Sequence, residues 1–562
     1  MNVKLVFLLA LLLLGSASAR VTFGVSEFSA ADLRNPQLLD ELCAGESASF
    51  WCEARDATLQ LITTKGADYL FNDVGEIVAL YAKQQRGQDF RGNYALDNNQ
   101  NLIPHTAPHP GGAVLFDGVY HPRSGVSSTW EETTLAGAPA LRGTFSYTVG
   151  EIAEVTKVVT VSSVLSSMDV SVEVTRLGAG EEAAVQYAFP GIARQNQPAL
   201  KVGQGESFTL NPPAQAFPAA NYISLQSNNR NTGFALVLRP HPEVPGAGDE
   251  LAAFPLSANQ IALGRTLGAE AGATAGLELQ AYGGPNEMVR FAQEGYLDLP
   301  GLFRPNLLGR LSLGIIVVLE AIYGVVGSWG LAIILLTLLF RALVWPLISA
   351  QTKSMVGMQK IQPKMQELQK KYKNDREKLT QETMKLYQEA GVNPAGGCLP
   401  ILVQMPIFII LWRVFINFEF NEGFLWIPDL GLSDPFYLLP ILYVAVMVGQ
   451  SVVASKGNTQ MLRQQLLISG VFVFFIFGFP AGVTLYLITS MLIQVLQQWL
   501  IQRNMDAAPA TLATGVTPVP SPPSATAIET AAQNPATREA SGKATGTGAK
   551  GGKPRTKKAR AK

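Results

Sequence analysis

The chain has 562 residues, more than one ordinary domain holds, and its 43 Lys/Arg balance 43 Asp/Glu. That neutrality is an average: Lys353 to Lys385 carries nine basic residues against four acidic, and Arg503 to Lys562 ten against three. Three cysteines exclude a disulfide-stapled scaffold, and apolar residues, 48% in all, crowd into 311–501 while 20–303 is mixed and 507–562 is of low complexity.

Lys4, the apolar run Leu5 to Leu14 and the sequence Ala17-Ser18-Ala19 read as a secretory signal peptide cleaved after Ala19. The alternative is an uncleaved anchor over Val3 to Ala19. Either way, the region beginning at Arg20 is exported. In 20–303, Val170, Val172 and Val174 alternate with Ser171, Glu173 and Thr175, the period of a half-buried strand, and Val155 to Val164 and Tyr222 to Leu238 are also β-prone. The expectation is a large exported β-sandwich. All four histidines lie here, at 105, 109, 121 and 241; the His105–His109 pair lacks a third ligand and reads as loop histidines rather than a metal site. Cys43 and Cys52 are a disulfide candidate in an oxidising compartment.

Residues 304–328 are apolar but interrupted by Arg310 and Glu320, and read as a helix along the outer interface, with a re-entrant segment as the alternative. Trp329 to Ile348 is a membrane span, with Pro346 marking its end, and its single charge is Arg341. At about 1.5 Å per residue Arg341 lies roughly 18 Å below Trp329, deep in the hydrocarbon core. It either snorkels to the near interface or faces a wet cavity inside the bundle, with Thr337 one turn away on the same face. Residues 349–395 come next as a cytoplasmic helical hairpin with apolar positions three and four apart. Asn374 and Glu377 resemble a capping box, and Pro363 is expected to kink the first arm. Four more spans are expected at 398–416, 436–453, 464–479 and 483–501. The loop 417–434 carries Phe418, Phe420, Phe424 and Trp426 with four acids and no base, and reads as an outer loop with an aromatic belt. The basic hairpin and tail are then cytoplasmic. Arg413, near the outer end of its span, is expected to snorkel. The tail 507–562 reads as disordered and basic, either solvated or bound to RNA or anionic lipid.

The spans exclude several chemistries. No histidine lies beyond residue 241, which argues against zinc or Ser-His intramembrane proteolysis. The last three spans hold no Asp, Glu, Lys or Arg, which argues against an ion-coupled transporter, and no phosphate-binding loop is visible. The spans offer one deep positive charge with hydroxyls and amides (Thr337, Gln404, Gln450, Thr484, Thr489), and neither catalytic set nor cofactor motif.

Five segments carry a resemblance: FRALVWPLISAQTKSM, MQKIQPKMQELQKKY, NPAGGCLPILVQMPIFIILW, DPFYLLPIL and FPAGVTLYLI. In order and spacing, over about 305–503, the chain resembles the YidC-type membrane protein insertases. The resemblance implies a polytopic α-helical membrane protein. Its five-helix core carries an exported β-sandwich and a disordered basic tail, in the bacterial cytoplasmic (inner) membrane. It implies a non-enzymatic insertase and chaperone for nascent membrane proteins, alone or with the Sec translocon. Ribosomes at the basic tail and hairpin, and membrane lipids, are the further expected partners. The expected substrate groove is hydrophilic and lipid-open, lined by Arg341, Thr337, Gln404 and Tyr486, with Leu487 where relatives often carry a second tyrosine. Two other readings stay open: a passive anion channel or solute carrier using Arg341, and a cell-envelope carbohydrate-binding protein with a membrane anchor.

Overall fold

The computed structural model describes residues 23–44, 49–83, 90–98, 100–192, 198–227, 233–303, 306–391, 399–455 and 459–507. The expected signal peptide or anchor, Cys398 and the tail from 508 lie outside the described residues. The chain divides into two compact units, Met1–Val356 with Ala395–Gln502, and Gly357–Pro394 with Arg503–Lys562.

The first unit opens with three antiparallel sheets of four, five and nine strands. In the strand Ser167–Arg176, Val170, Val172 and Val174 are buried while Glu173 faces water, so the period-2 pattern sets which face enters the core. Those valines share one cluster with Tyr187 and Leu263 of the five-stranded sheet and with Tyr69 and Leu80 of the four-stranded one. The two larger sheets therefore close face to face over a common interior. Helices α1 (Pro36–Cys43) and α2 (Ser49–Asp56) are tied by a Cys43–Cys52 disulfide, Cα atoms 4.8 Å apart. A short helix, α3 (Met288–Gln293), ends the domain.

Helix α4 (Leu307–Val326) starts at Asn306, whose side chain accepts from the Gly309 amide, and stops at Gly327, which adopts φ 63°. Glycine meets that left-handed backbone without a Cβ clash, so α5 (Trp329–Lys371) begins at once. Pro346 does not end this helix. Proline removes one backbone bond inside a membrane helix, a loss that neighbouring groups offset, and the helix also runs on through Pro363. In the second unit α5 turns at Tyr372–Asp375 into α6 (Arg376–Glu389), and Tyr387 donates to the Met365 sulfur at 3.2 Å. The cap of α6 is Asp375, which accepts from the Lys378 amide, one residue beyond the expected Asn374. A carboxylate also suits the positive end of the helix.

The first unit continues with α7 (Leu399–Asn417), α8 (Leu438–Ser455), α9 (Thr459–Ile476) and α10 (Ala481–Ala507). Among the described residues Leu307–Val326, Trp329–Pro346 and Ala481–Ile501 are long and apolar enough to cross a membrane. Gln404–Asn417, Leu438–Val452 and Gln465–Ile476 are shorter apolar helices.

The loop 417–434 departs from the expected aromatic belt in one respect: Phe418 and Phe420 are buried, together with Glu419, Asp429 and Asp434. It docks on the β domain and over the start of α10, where the Leu432 and Leu430 carbonyls accept from the Ala481 and Gly482 amides. These are first-turn N–H groups that no helix can satisfy internally. Arg413 does not snorkel either, because Glu287 beside α3 pairs with it at 3.2 Å. Arg290, 1% exposed, pairs with Glu419 at 2.5 Å. Gln293 closes a two-way bond with the Glu419 backbone, donating to its carbonyl at 2.6 Å and accepting from its amide at 2.7 Å. Lys65 reaches Asp429 at 3.0 Å.

Candidate functional site

One group of polar side chains of the helix bundle lies where α5 and α10 meet. Arg341 is 8% exposed, and its Nε donates to the Ser490 hydroxyl at 2.8 Å; a second guanidinium nitrogen donates to the same oxygen. One turn toward the start of α10, Tyr486 accepts from the Gln404 carboxamide of α7. The sequence-predicted Arg341, Gln404 and Tyr486 therefore belong to one neighbourhood, with Ser490 linking the arginine to the tyrosine's helix. Thr337 is buried beside them, but its hydroxyl donates to the Ile333 carbonyl of its own helix at 2.7 Å. That back-bond satisfies its donor. Leu487 is partly buried against the apolar core.

Sequence reasoning missed Ser490, although a signal existed: Tyr486, Ser490, Gln494 and Gln497 recur every three or four residues, a polar stripe on an otherwise apolar helix. The electrostatics are one-sided. Arg341 has no carboxylate partner within salt-bridge distance among the described residues, only hydroxyl oxygens and amide groups nearby. A guanidinium stays charged in any protein environment, so this geometry holds a positive charge inside the bundle without a matching negative one.

Among the described residues no group of three His, Cys, Asp or Glu could hold a metal. His109 is buried with its Nδ1 2.9 Å from the Pro110 carbonyl oxygen, and burial lowers its pKa. A cleft of about 380 Å³ in the β domain, lined by Pro198, Leu200, Asn211, Pro212 and Asn259 among others, brings no charged group together.

An antiparallel β domain joined to a bundle of apolar helices, with a seam of hydroxyls and amides around one arginine, defines a membrane protein with several apolar helices and a polar site among them. Comparison with known proteins narrows that class. The family described as 60Kd inner membrane protein matches residues 321–508. A Deinococcus radiodurans protein named membrane protein insertase YidC is 36% identical over 367 residues, 64% of this chain and 82% of that one. Proteins of the same name from Pseudoalteromonas translucida and Cellvibrio japonicus are 33% and 39% identical. They align over 58% and 42% of this chain, and over 57% and 44% of their own lengths. The crystal structure of an active YidC insertase with its first transmembrane domain resolved superposes with TM-score 0.50 at 22% identity, over 78% of this chain and 91% of that one. The chain belongs to the YidC membrane protein insertase family.

Proposed function

We propose that this chain inserts and folds newly made proteins in the inner membrane through a hydrophilic groove lined by Arg341, Thr337, Gln404, Tyr486 and Ser490. The observation that carries the reading is the buried Arg341, held by Ser490 with no resident counter-ion among the described residues. A polar cavity in one leaflet shortens the path over which a substrate's hydrophilic segment goes unsolvated. The arginine attracts that segment's acids during the crossing. The driving force is then the partition of the substrate's apolar segment into lipid, with the membrane potential adding to it.

Five crossings fit the packing. The chain before α4 is anchored in the β domain, where Leu302 joins Tyr222 and Phe291. At the far end of α4, Tyr323 stacks on Trp329, whose other ring neighbours are Phe418 and Phe420 of the docked loop. Both ends of α4 thus adjoin the exported side, which supports a helix lying along the outer interface despite its apolar length. Helices α5, α7, α8, α9 and α10 then make the crossings, with the hairpin and the C-terminal tail in the cytoplasm. Nine basic residues against four in Lys353–Lys385 suit docking to ribosomal RNA, and the tail suits the same role. The Sec translocon is the remaining proposed partner.

The test is insertion of a single-span substrate with an acidic translocated tail into liposomes holding the purified protein, beside the same substrate with its acids neutralised. Arg341→Lys retains most activity. Arg341→Ala loses about tenfold or more on the acidic substrate alone, the size expected for one charge-assisted hydrogen bond. Equal loss on both substrates would remove electrostatic capture from the mechanism, and anion flux without insertion would replace the insertase reading with a channel.

A further inference from the structure

The seam between α5 and α10 carries a second polar group that the Arg341 cluster does not use. Gln497 lies seven residues beyond Ser490, about two turns deeper along α10. It is 1% exposed. Its Nε2 donates to the Trp345 carbonyl at 3.3 Å and to the Ser349 hydroxyl oxygen at 3.0 Å, so both of its N–H bonds are committed and the carboxamide plane is fixed. Its Oε1 has no hydrogen-bond partner among the described residues. A buried acceptor left in that state is disfavoured unless something else supplies a donor. Ser349 accepts from Gln497, which leaves its own O–H to donate elsewhere.

The pair therefore presents one acceptor and one donor, both uncharged. A peptide unit, with an N–H to give and a C=O to receive, answers both, as does the side chain of Asn or Gln. A carboxylate does not, because it would set an anionic acceptor against the Gln497 oxygen. This preference is the reverse of that at Arg341, whose partner Ser490 lies roughly 10 Å from Gln497 along α10.

We infer that Gln497 and Ser349 form an uncharged hydrogen-bonding station at the inner end of the groove, which binds peptide groups and neutral polar side chains of the segment being translocated. The inference rests on the insertase reading and divides the groove's labour: Gln497 and Ser349 take the neutral backbone, and Arg341 takes the acids.

The experiment uses the full chain in liposomes and two single-span substrates, one with a long translocated segment of Ser, Gly and Asn, the other with only a few residues beyond its span. Gln497→Met keeps side-chain length and removes the carboxamide. It should cut insertion of the long neutral substrate about fivefold, the worth of one ordinary hydrogen bond, and leave the short one unchanged. Gln497→Asn should restore part of the loss, which a purely structural role does not predict. Wild-type insertion of the long substrate by Gln497→Met overturns the inference. Should that variant fail to accumulate, a photoreactive residue at position 497 decides, with position 492 on the exposed face of α10 as control. A nascent-chain adduct at 497 and none at 492 supports the station; absence of an adduct at 497 overturns it. Failure of the unsubstituted protein to insert either substrate would overturn the insertase reading itself, a result distinct from both.

Discussion

Arg290 and Arg341 are both buried arginines, 1% and 8% exposed, one at the edge of the β domain and the other inside the helix bundle. Arg290 sits 2.5 Å from the Glu419 carboxylate and donates to Ser166. The β domain repeats this matching: Lys83 lies 2.6 Å from Asp68, and Arg123 lies 3.2 Å from Glu76. Among the described residues Arg341 meets Ser490 and the neighbouring amide and phenol groups, with no carboxylate. A charge matched within the fold works for the fold, and a charge the fold leaves unmatched is available to something that arrives later. The cost of the second kind falls on stability.

Breaking a matched pair should have the largest effect. Arg290→Met removes the guanidinium paired with the buried Glu419 and should cost about 3–5 kcal/mol, read as lost protease resistance and a lower unfolding midpoint of the full chain in detergent. Restoring balance with Glu419→Gln in the same chain should recover a large part.

Lys157 tests the comparison from within the β domain. It is fully buried beside Glu76 and Arg123, donates to the Gly112 carbonyl at 3.2 Å, and burial pushes its pKa down to about 7, with Glu76 opposing the shift and Arg123 adding to it. The unfolded chain holds the proton up to about pH 10.5, so between 7 and 10.5 the unfolded state binds more protons than the folded one. Stability of the domain should therefore rise with pH across that window, by about 1.4 kcal/mol per unit, and lose this contribution entirely below pH 7. Lys157→Met should flatten the slope, measured by hydrogen exchange of the strand Ala153–Ser162 at pH 7 and pH 9.

Arg341→Met should change stability by no more than about 1 kcal/mol, or raise it, since no buried partner is stranded and a buried charge is removed. A loss comparable to that of Arg290→Met would show that Arg341 holds the bundle together. Thr337→Val should matter least, about 0.5 kcal/mol by thermal unfolding and nothing in insertion, because the hydroxyl is spent on the Ile333 carbonyl.

Arg341 was legible in the sequence because a lone charge in twenty apolar residues has few explanations, and the sandwich because Val170, Val172 and Val174 keep strict phase. Lys157 was legible in principle, since it shares the inward phase of Val155 and Val159, but a lysine in a strand invites a solvated reading. Ser490 was legible only as one member of the polar stripe with Tyr486, Gln494 and Gln497; its role emerges once a side chain 149 residues away is brought to it. The docking of the loop 417–434 was not legible for a related reason. Its four acids share the loop with no base, and the bases that pair with Glu419 and Asp429, Arg290 and Lys65, belong to another part of the chain. Local pattern gives faces and lengths, whereas the pairing of distant charges is set only by the closed structure.

The two-way bond between Gln293 and Glu419 joins residues 126 apart in the sequence. At a synthesis rate of about 5–20 residues per second, Glu419 emerges roughly 6–25 s after Gln293. For that interval the β domain holds Arg290 and Gln293 ready, with an empty place between them. In the proposed topology α5 and α7 are the two crossings between these groups, and only a chain that has crossed inward and back again delivers the loop to the compartment of the β domain. Closure of this contact is thus a late step in the protein's own biogenesis. A nascent chain threaded with one crossing too few cannot complete it, and leaves Arg290 without the Glu419 carboxylate that matches it in the closed structure.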